Sequence, residues 1–136
     1  MSRLKTPIVV VVSGEGGSGG ALAIGVGDRI LILENAVYSV ISPESCSSIL
    51  WKETSKAEEA AKALKMTAAD LSKMGLVDRI IPAPLGGAHR DYEKMAEYLR
   101  SALVEILGEL KKVPLEELVQ NRFIRYRSIW SFSEKS

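Results

Sequence analysis

Pro7-Ile8-Val9-Val10-Val11-Val12 is an unbroken β-branched run opened by a proline, and Ser13 to Gly20, with five glycines among eight residues, follows it at once. A run without a polar position reads as a strand covered on both faces, the habit of parallel and mixed α/β sheets. Ala21-Leu22-Ala23-Ile24 then reads as the first turns of a helix that Gly25 and Gly27 end early. The glycines therefore join a buried strand to a helix start. Such a junction aims unpaired backbone N–H groups, aided by the helix dipole, at whatever lies in front of them.

Beyond this junction, Arg29 to Leu33 is expected as a second strand and Tyr38 to Ile41 as a third. Ser42-Pro43-Glu44 has the form of a helix start, with serine as N-cap and proline at the first helical position. The helix it opens carries Cys46, Ile49, Leu50 and Trp51. Ser55 to Lys65 is an alanine-rich helix; Thr67-Ala68-Ala69-Asp70 is a capping box with the shorter acid, closed by Gly75. Leu76 to Ile81 is a short strand ended by Pro82 and Pro84. From Tyr92 to Leu110, apolar residues at 92, 95, 99, 103, 106 and 110 keep helical steps. Asp91 stands ready as the cap of that helix, and Pro114 starts another; Ser133 to Ser136 is expected to be disordered. The order of elements is α/β. Three or four strands make a thin sheet for an all-apolar strand that needs neighbours on both sides, so the chain reads as the second part of something larger.

With 136 residues there is room for one domain, and a net charge of +1 gives no global field to recruit nucleic acid or an anionic membrane. A single cysteine, Cys46, excludes an internal disulfide, and one histidine, His89, beside it cannot make a zinc site of the usual ligand count. No signal peptide and no membrane-spanning run is present in this sequence, so the cytoplasm is the expected compartment.

The glycine turn admits three functional readings. A phosphate-binding loop needs Lys-Ser/Thr after the last glycine, and Gly20 is followed by Ala21-Leu22. A dinucleotide fingerprint fits better: Gly14-x-Gly16-x-x-Gly19 follows a strand, and Glu34 stands 20 positions after Gly14, where a ribose-binding acid belongs. That reading makes the chain part of an NAD(P)-binding oxidoreductase, although the helix between is short. An oxyanion hole needs only glycine N–H groups at a helix start.

Four blocks then resemble the alpha subunit of the acetyl-CoA carboxylase carboxyltransferase family: Gly14 to Asp28, Tyr38 to Glu44, Ser48 to Lys52 and Pro84 to Arg90, in the family's order, with likeness from about Arg3 to Trp130. The resemblance implies a crotonase-like (ClpP/crotonase-type) spiral of ββα units, N-terminally truncated here, with a helical C-terminal tail. It implies one carboxyltransferase domain fragment over 1–136, with a βα core and glycine loop over 1–90 and a helical region over 91–132. The implied reaction moves a carboxyl group from carboxybiotin, carried on the biotin carboxyl carrier protein, to acetyl-CoA, giving malonyl-CoA for fatty acid synthesis. Gly19 and Gly20 match the catalytic pair whose N–H groups hold the ureido oxygen; Gly16, Gly17, Ser18 and Ala21 match the biotin-binding surroundings. The implied partners are a beta subunit, which brings most of the acyl-CoA side and a zinc ribbon, and an alpha2beta2 hetero-oligomer, with no metal in this chain, no nucleic acid and no membrane. ATP binding belongs to the same implied enzyme as a whole. Because the family carries a long portion before the segment matching Met1, the chain is expected to be inactive alone, and a non-catalytic assembly module is the alternative.

Other residues have plainer readings beside sharper ones. Ser18 sits in Gly-x-Ser-x-Gly, where a nucleophile would need His89 as its base. His89 itself reads as a structural hydrogen-bonding residue or as one that positions a ligand, Cys46 as a small buried apolar residue, and Glu15 as a residue that orients the turn or touches biotin. Arg122, Arg125 and Arg127 with Phe123, Tyr126 and Trp130 suggest a helix that packs on a partner subunit, ahead of a nucleic-acid patch.

Overall fold

The run that opens the chain becomes β1 (Val9–Val12), and it lies parallel to β3 (Arg29–Leu33), which in turn lies parallel to β5 (Arg79–Ile81). This computed structural model describes residues 1–129; the expectation for Ser133 to Ser136 and the ring of Trp130 lie outside the described residues. A second, two-stranded parallel sheet pairs β2 (Glu15–Gly17) with β4 (Val37–Ser39) in register, Gly16 opposite Tyr38. The chain thus winds as a repeated unit: one strand to the larger sheet, one to the smaller, then helix. β1, β2 and α1 (Ser18–Ile24) form the first turn; β3, β4 and the helices α2 (Pro43–Trp51), α3 (Ala57–Leu64) and α4 (Ala68–Lys73) form the second; β5 opens a third. This is the ββα spiral.

The strand covered on both faces is β3 rather than β1. Leu31 and Ile32 are 0% exposed, while Val9, Val10 and Val11 are only half-buried. The reason is position: β3 is central, and β1 has a strand neighbour on one side only among the described residues. Each fully buried leucine or isoleucine contributes roughly 1.5–3 kcal/mol, so β3 is the spine of the core.

Short-range signals place the helices well. Ser42 accepts from the Ser45 N–H, Thr67 from the Asp70 N–H, and Asp91 from the Lys94 N–H, each as the N-cap expected of it. α5 (Tyr92–Leu110) buries Met95, Ala102, Ile106 and Leu110 and packs on β1 and β5, though Tyr92 at its start is exposed. α2 departs from its expected packing. Ser47 is its buried residue, with its hydroxyl donating to the Glu53 carbonyl; Cys46 is half-buried and Ile49 and Leu50 face outward.

α6 (Leu115–Ser128) is fastened to the chain's own sheet. Arg122 reaches Asp28, just ahead of β3, through Nε and Nη2 at 2.8 Å each. Its remaining N–H groups donate to the carbonyls of Met1, Leu4 and Thr6. Arg125 pairs with Asp78, just ahead of β5, at 2.7 Å. Arg122 and Arg125, expected on a partner-facing surface, are consumed within the chain because α6 runs past the N-terminal ends of β3 and β5.

Candidate functional site

The glycine segment is more structured than a turn. Gly14 leaves β1 and its carbonyl accepts from the Val37 N–H, which starts the β2–β4 ladder. Gly16 must be glycine: a Cβ there would stand 2.8 Å from the ring of Tyr38 and 3.3 Å from Val12. The ring therefore lies directly beneath the segment. Ser18 then takes φ +65°, a left-handed conformation that costs an L-residue roughly 1–2 kcal/mol, and the chain turns into α1.

At the start of α1 the N–H groups of Ser18, Gly19 and Gly20 precede any intrahelical partner. The N-cap, Gly17, offers no side chain, and outside the helix no carbonyl or side-chain oxygen among the described residues takes the Gly19 or Gly20 N–H. Gly19 and Gly20 are both exposed, and a Cβ built on either meets nothing within 4 Å. Two aligned amides at an exposed helix start can stabilise a negative oxygen.

The far end of α1 is held by two phenols. Tyr38, on β4, donates from its hydroxyl to the Ala21 carbonyl at 3.1 Å. Tyr126, on α6, accepts from the Gly27 N–H at 2.8 Å, and its hydroxyl proton is shared between the carbonyls of Gly25 at 2.9 Å and Gly27 at 3.0 Å. Gly25 ends the helix with φ −75°, so it is glycine for space and not for conformation: a Cβ would collide with the Tyr38 hydroxyl. Burial raises the pKa of the Tyr38 phenol above 10.0, and the neighbouring Tyr126 raises it further. Neither tyrosine is marked as a site residue by its sequence context.

Two clefts flank the segment and meet at Ser13. A smaller one, about 280 Å³, is lined by Val10 to Gly16, Ala21, Ile24 and Tyr38, so it brings Gly16 and Ala21 together. Glu15, the segment's one charge, is exposed at its rim. A larger one, about 590 Å³, opens at the C-terminal ends of the three parallel strands, between Glu34, Asn35 and the 83–89 loop. His89 lies there, exposed, with its imidazole against Gly87 and no hydrogen bond to another described residue. Ser18 lines neither cleft, which separates the Gly-x-Ser-x-Gly serine from its supposed base. Glu34 accepts from the Ala83 N–H at 3.0 Å and closes β3 onto the end of β5. The fingerprint glycines span a strand of the second sheet before a helix of only seven residues, which is not the turn-to-helix geometry that cradles a pyrophosphate. Among the described residues no three His, Cys, Asp or Glu side chains gather to hold a metal ion, and no helix is long and apolar enough to cross a membrane.

Solved structures with this winding define the class. A probable enoyl-CoA hydratase from Mycobacterium thermoresistibile superposes with TM-score 0.56 at 21% identity, over 94% of this chain and 52% of its own. One chain of a Pseudomonas malonate decarboxylase hetero-tetramer superposes with TM-score 0.57 at 20% identity, over 85% of this chain and 45% of its own. The transcarboxylase 12S subunit gives 0.53 at 22% identity, over 74% of this chain and 20% of its own. The fold is crotonase-like.

Within that class, the family described as acetyl co-enzyme A carboxylase carboxyltransferase-like matches residues 1–130, and the chain belongs to it. The acetyl-coenzyme A carboxylase carboxyl transferase alpha subunit of Geobacter sulfurreducens is 54% identical over 134 residues, 98% of this chain and 42% of the relative. That of Legionella pneumophila strain Lens is 56% identical over 129 residues, covering 95% and 41%. That of a Thermus thermophilus strain is 54% identical over 134 residues, covering 98% and 43%. The chain thus spans about two fifths of the length of these curated relatives.

Proposed function

We propose that this chain is the biotin-side segment of an acetyl-CoA carboxylase carboxyltransferase, acting in a hetero-oligomer with a beta subunit and with a biotin carboxyl carrier protein. The observation that carries the reading is the pair of exposed Gly19 and Gly20 amides at a helix start, without an acceptor among the described residues, in a chain that belongs to this family. The residues suit a ureido ring: two consecutive amides can serve one carbonyl oxygen, and Ala21, next to Gly20, lines a cleft with Val10, Ile24 and Tyr38 as apolar walls.

Carboxybiotin, when bound, supplies the carboxyl group that acetyl-CoA receives to become malonyl-CoA. Gly19 and Gly20 would donate to the ureido oxygen, and their donation would strengthen as that oxygen gains charge. Such donors accelerate a reaction because they are already aligned and need no reorganisation; one of them is worth about 10²–10³ in rate. Gly16 and Ala21, which line the smaller cleft, and Gly17 and Ser18, which are exposed and line neither cleft, are assigned to the surroundings of the ring. The glycine turn has no lysine or hydroxyl residue directly after Gly20 to grip a nucleotide phosphate, so ATP binding is not assigned to this chain.

The reading is tested by reconstitution. This chain, supplemented with the N-terminal portion of an alpha subunit and a purified beta subunit, should restore biotin-dependent decarboxylation of malonyl-CoA. Assembly of all three parts without turnover would refute it.

A further inference from the structure

We propose that Tyr38 and Tyr126 are positioning residues that set the direction of the Gly19 and Gly20 amides by gripping the opposite end of α1, a role that rests on reading those amides as oxyanion donors. The need for a grip comes from packing. α1 has seven residues and none is buried; Leu22 is 61% and Ile24 is 67% exposed. Helices are normally oriented by an apolar face pressed into a core, and this one has no such anchor. What remains is polar and sits at one end.

The contacts form a closed set. The Tyr38 ring lies under Gly16, one residue ahead of the N-cap, while its hydroxyl takes the Ala21 carbonyl. That carbonyl is left for the phenol because the Gly25 N–H goes to Leu22, at 3.3 Å, in place of Ala21. One side chain thus touches both the approach to the helix and its last turn. Tyr126 holds Gly25 and Gly27 from the other side, and α6, which bears it, is itself fixed by the Arg122–Asp28 pair. With a rise of about 1.5 Å per residue, Gly20 and Gly25 lie only about 7.5 Å apart along α1, so a tilt at one end displaces the other. A displacement of 1 Å at a reacting centre can cost about 10²-fold.

The test places Tyr38→Phe, Tyr126→Phe and Gly19→Leu in the assembled carboxyltransferase and follows biotin-dependent malonyl-CoA decarboxylation. Both phenylalanine variants keep the ring and its packing. Loss of alignment felt only in the transition state predicts kcat lowered about 10- to 100-fold for Tyr38→Phe, with KM for biotin within about twofold. Tyr126→Phe should act in the same direction, and the double variant should fall short of the product of the two, as expected for residues acting on one element. Amide hydrogen exchange over residues 18–25 should quicken in each variant, an observation that does not depend on turnover. If kcat and exchange stay at the unaltered values while Gly19→Leu abolishes turnover, the positioning role is overturned and the donor reading stands. If Gly19→Leu keeps full turnover, the donor reading falls and this role falls with it.

Discussion

Arg122 and Asp28 form a two-point ion pair whose side chains are 1% and 3% exposed, although 94 positions separate them in the chain. A buried pair of this kind is not automatically stabilising, because two ions must leave water. Here every N–H of the guanidinium has an acceptor, and Asp28 also takes the Ile8 N–H at 2.7 Å. The pair fixes α6, the N-terminal segment and the start of β3 to one another.

Breaking it should therefore be costly. Arg122→Met would leave the Asp28 carboxylate buried without its cation and the carbonyls of Leu4 and Thr6 without donors, a loss of about 3–5 kcal/mol. Urea unfolding of the complete subunit, followed by circular dichroism, measures this. A loss under about 1 kcal/mol would mean that water replaces the guanidinium at no great cost.

Gly25→Ala should destabilise despite alanine's better helix propensity. The added methyl would collide with the Tyr38 hydroxyl and stand 2.9 Å from the Ala21 carbonyl oxygen. Such overpacking costs about 1–3 kcal/mol. In a Tyr38→Phe background the colliding oxygen is gone, so part of the loss should return. Thermal unfolding of the four proteins of this cycle gives the coupling; strictly additive losses would contradict the contact.

The alkaline limb of stability should carry the signature of Tyr38. Its phenol titrates above 10.0 in the folded chain, first because burial disfavours the phenolate and second because Tyr126 is near. Below pH 10 both folded and unfolded states keep the proton and the contribution is intact. Above it the unfolded chain ionises first, so stability falls with rising pH until the folded-state value is passed. Tyr38→Phe should flatten that fall in denaturant titrations between pH 9 and 11.5. An unchanged slope would assign the limb to other groups.

How much of this is legible in the sequence follows the range of the interactions. Caps at Ser42, Thr67 and Asp91 act over three residues and can be read directly; so can the strand from Arg29 to Leu33 and the helix from Tyr92 to Leu110, whose apolar patterns are long. Glu15–Gly17 cannot be read as a strand, because glycine has poor strand propensity and its pairing with Val37–Ser39 is non-local. The apolar pattern of the third strand extends to Ile41, but the Ser39 hydroxyl donates to the Ile41 carbonyl and bends the chain after Ser39. The glycines of the candidate site stand out by composition, whereas Tyr126 acts from 99 residues away and its arginine–aromatic surroundings point to a partner surface and not to this site. The same holds for Arg122, whose acid Asp28 stands 94 positions away.

The most direct measurement of the oxyanion reading is the turnover of an assembled carboxyltransferase carrying Gly20→Leu, with assembly checked by size-exclusion chromatography. The fold has room for the side chain, since a Cβ at Gly20 meets nothing within 4 Å, while a ureido oxygen would find its approach blocked. The prediction is an intact complex with kcat reduced at least about 10²-fold. An intact complex turning over at the unaltered rate would contradict it and leave this segment an assembly module without a part in the chemistry.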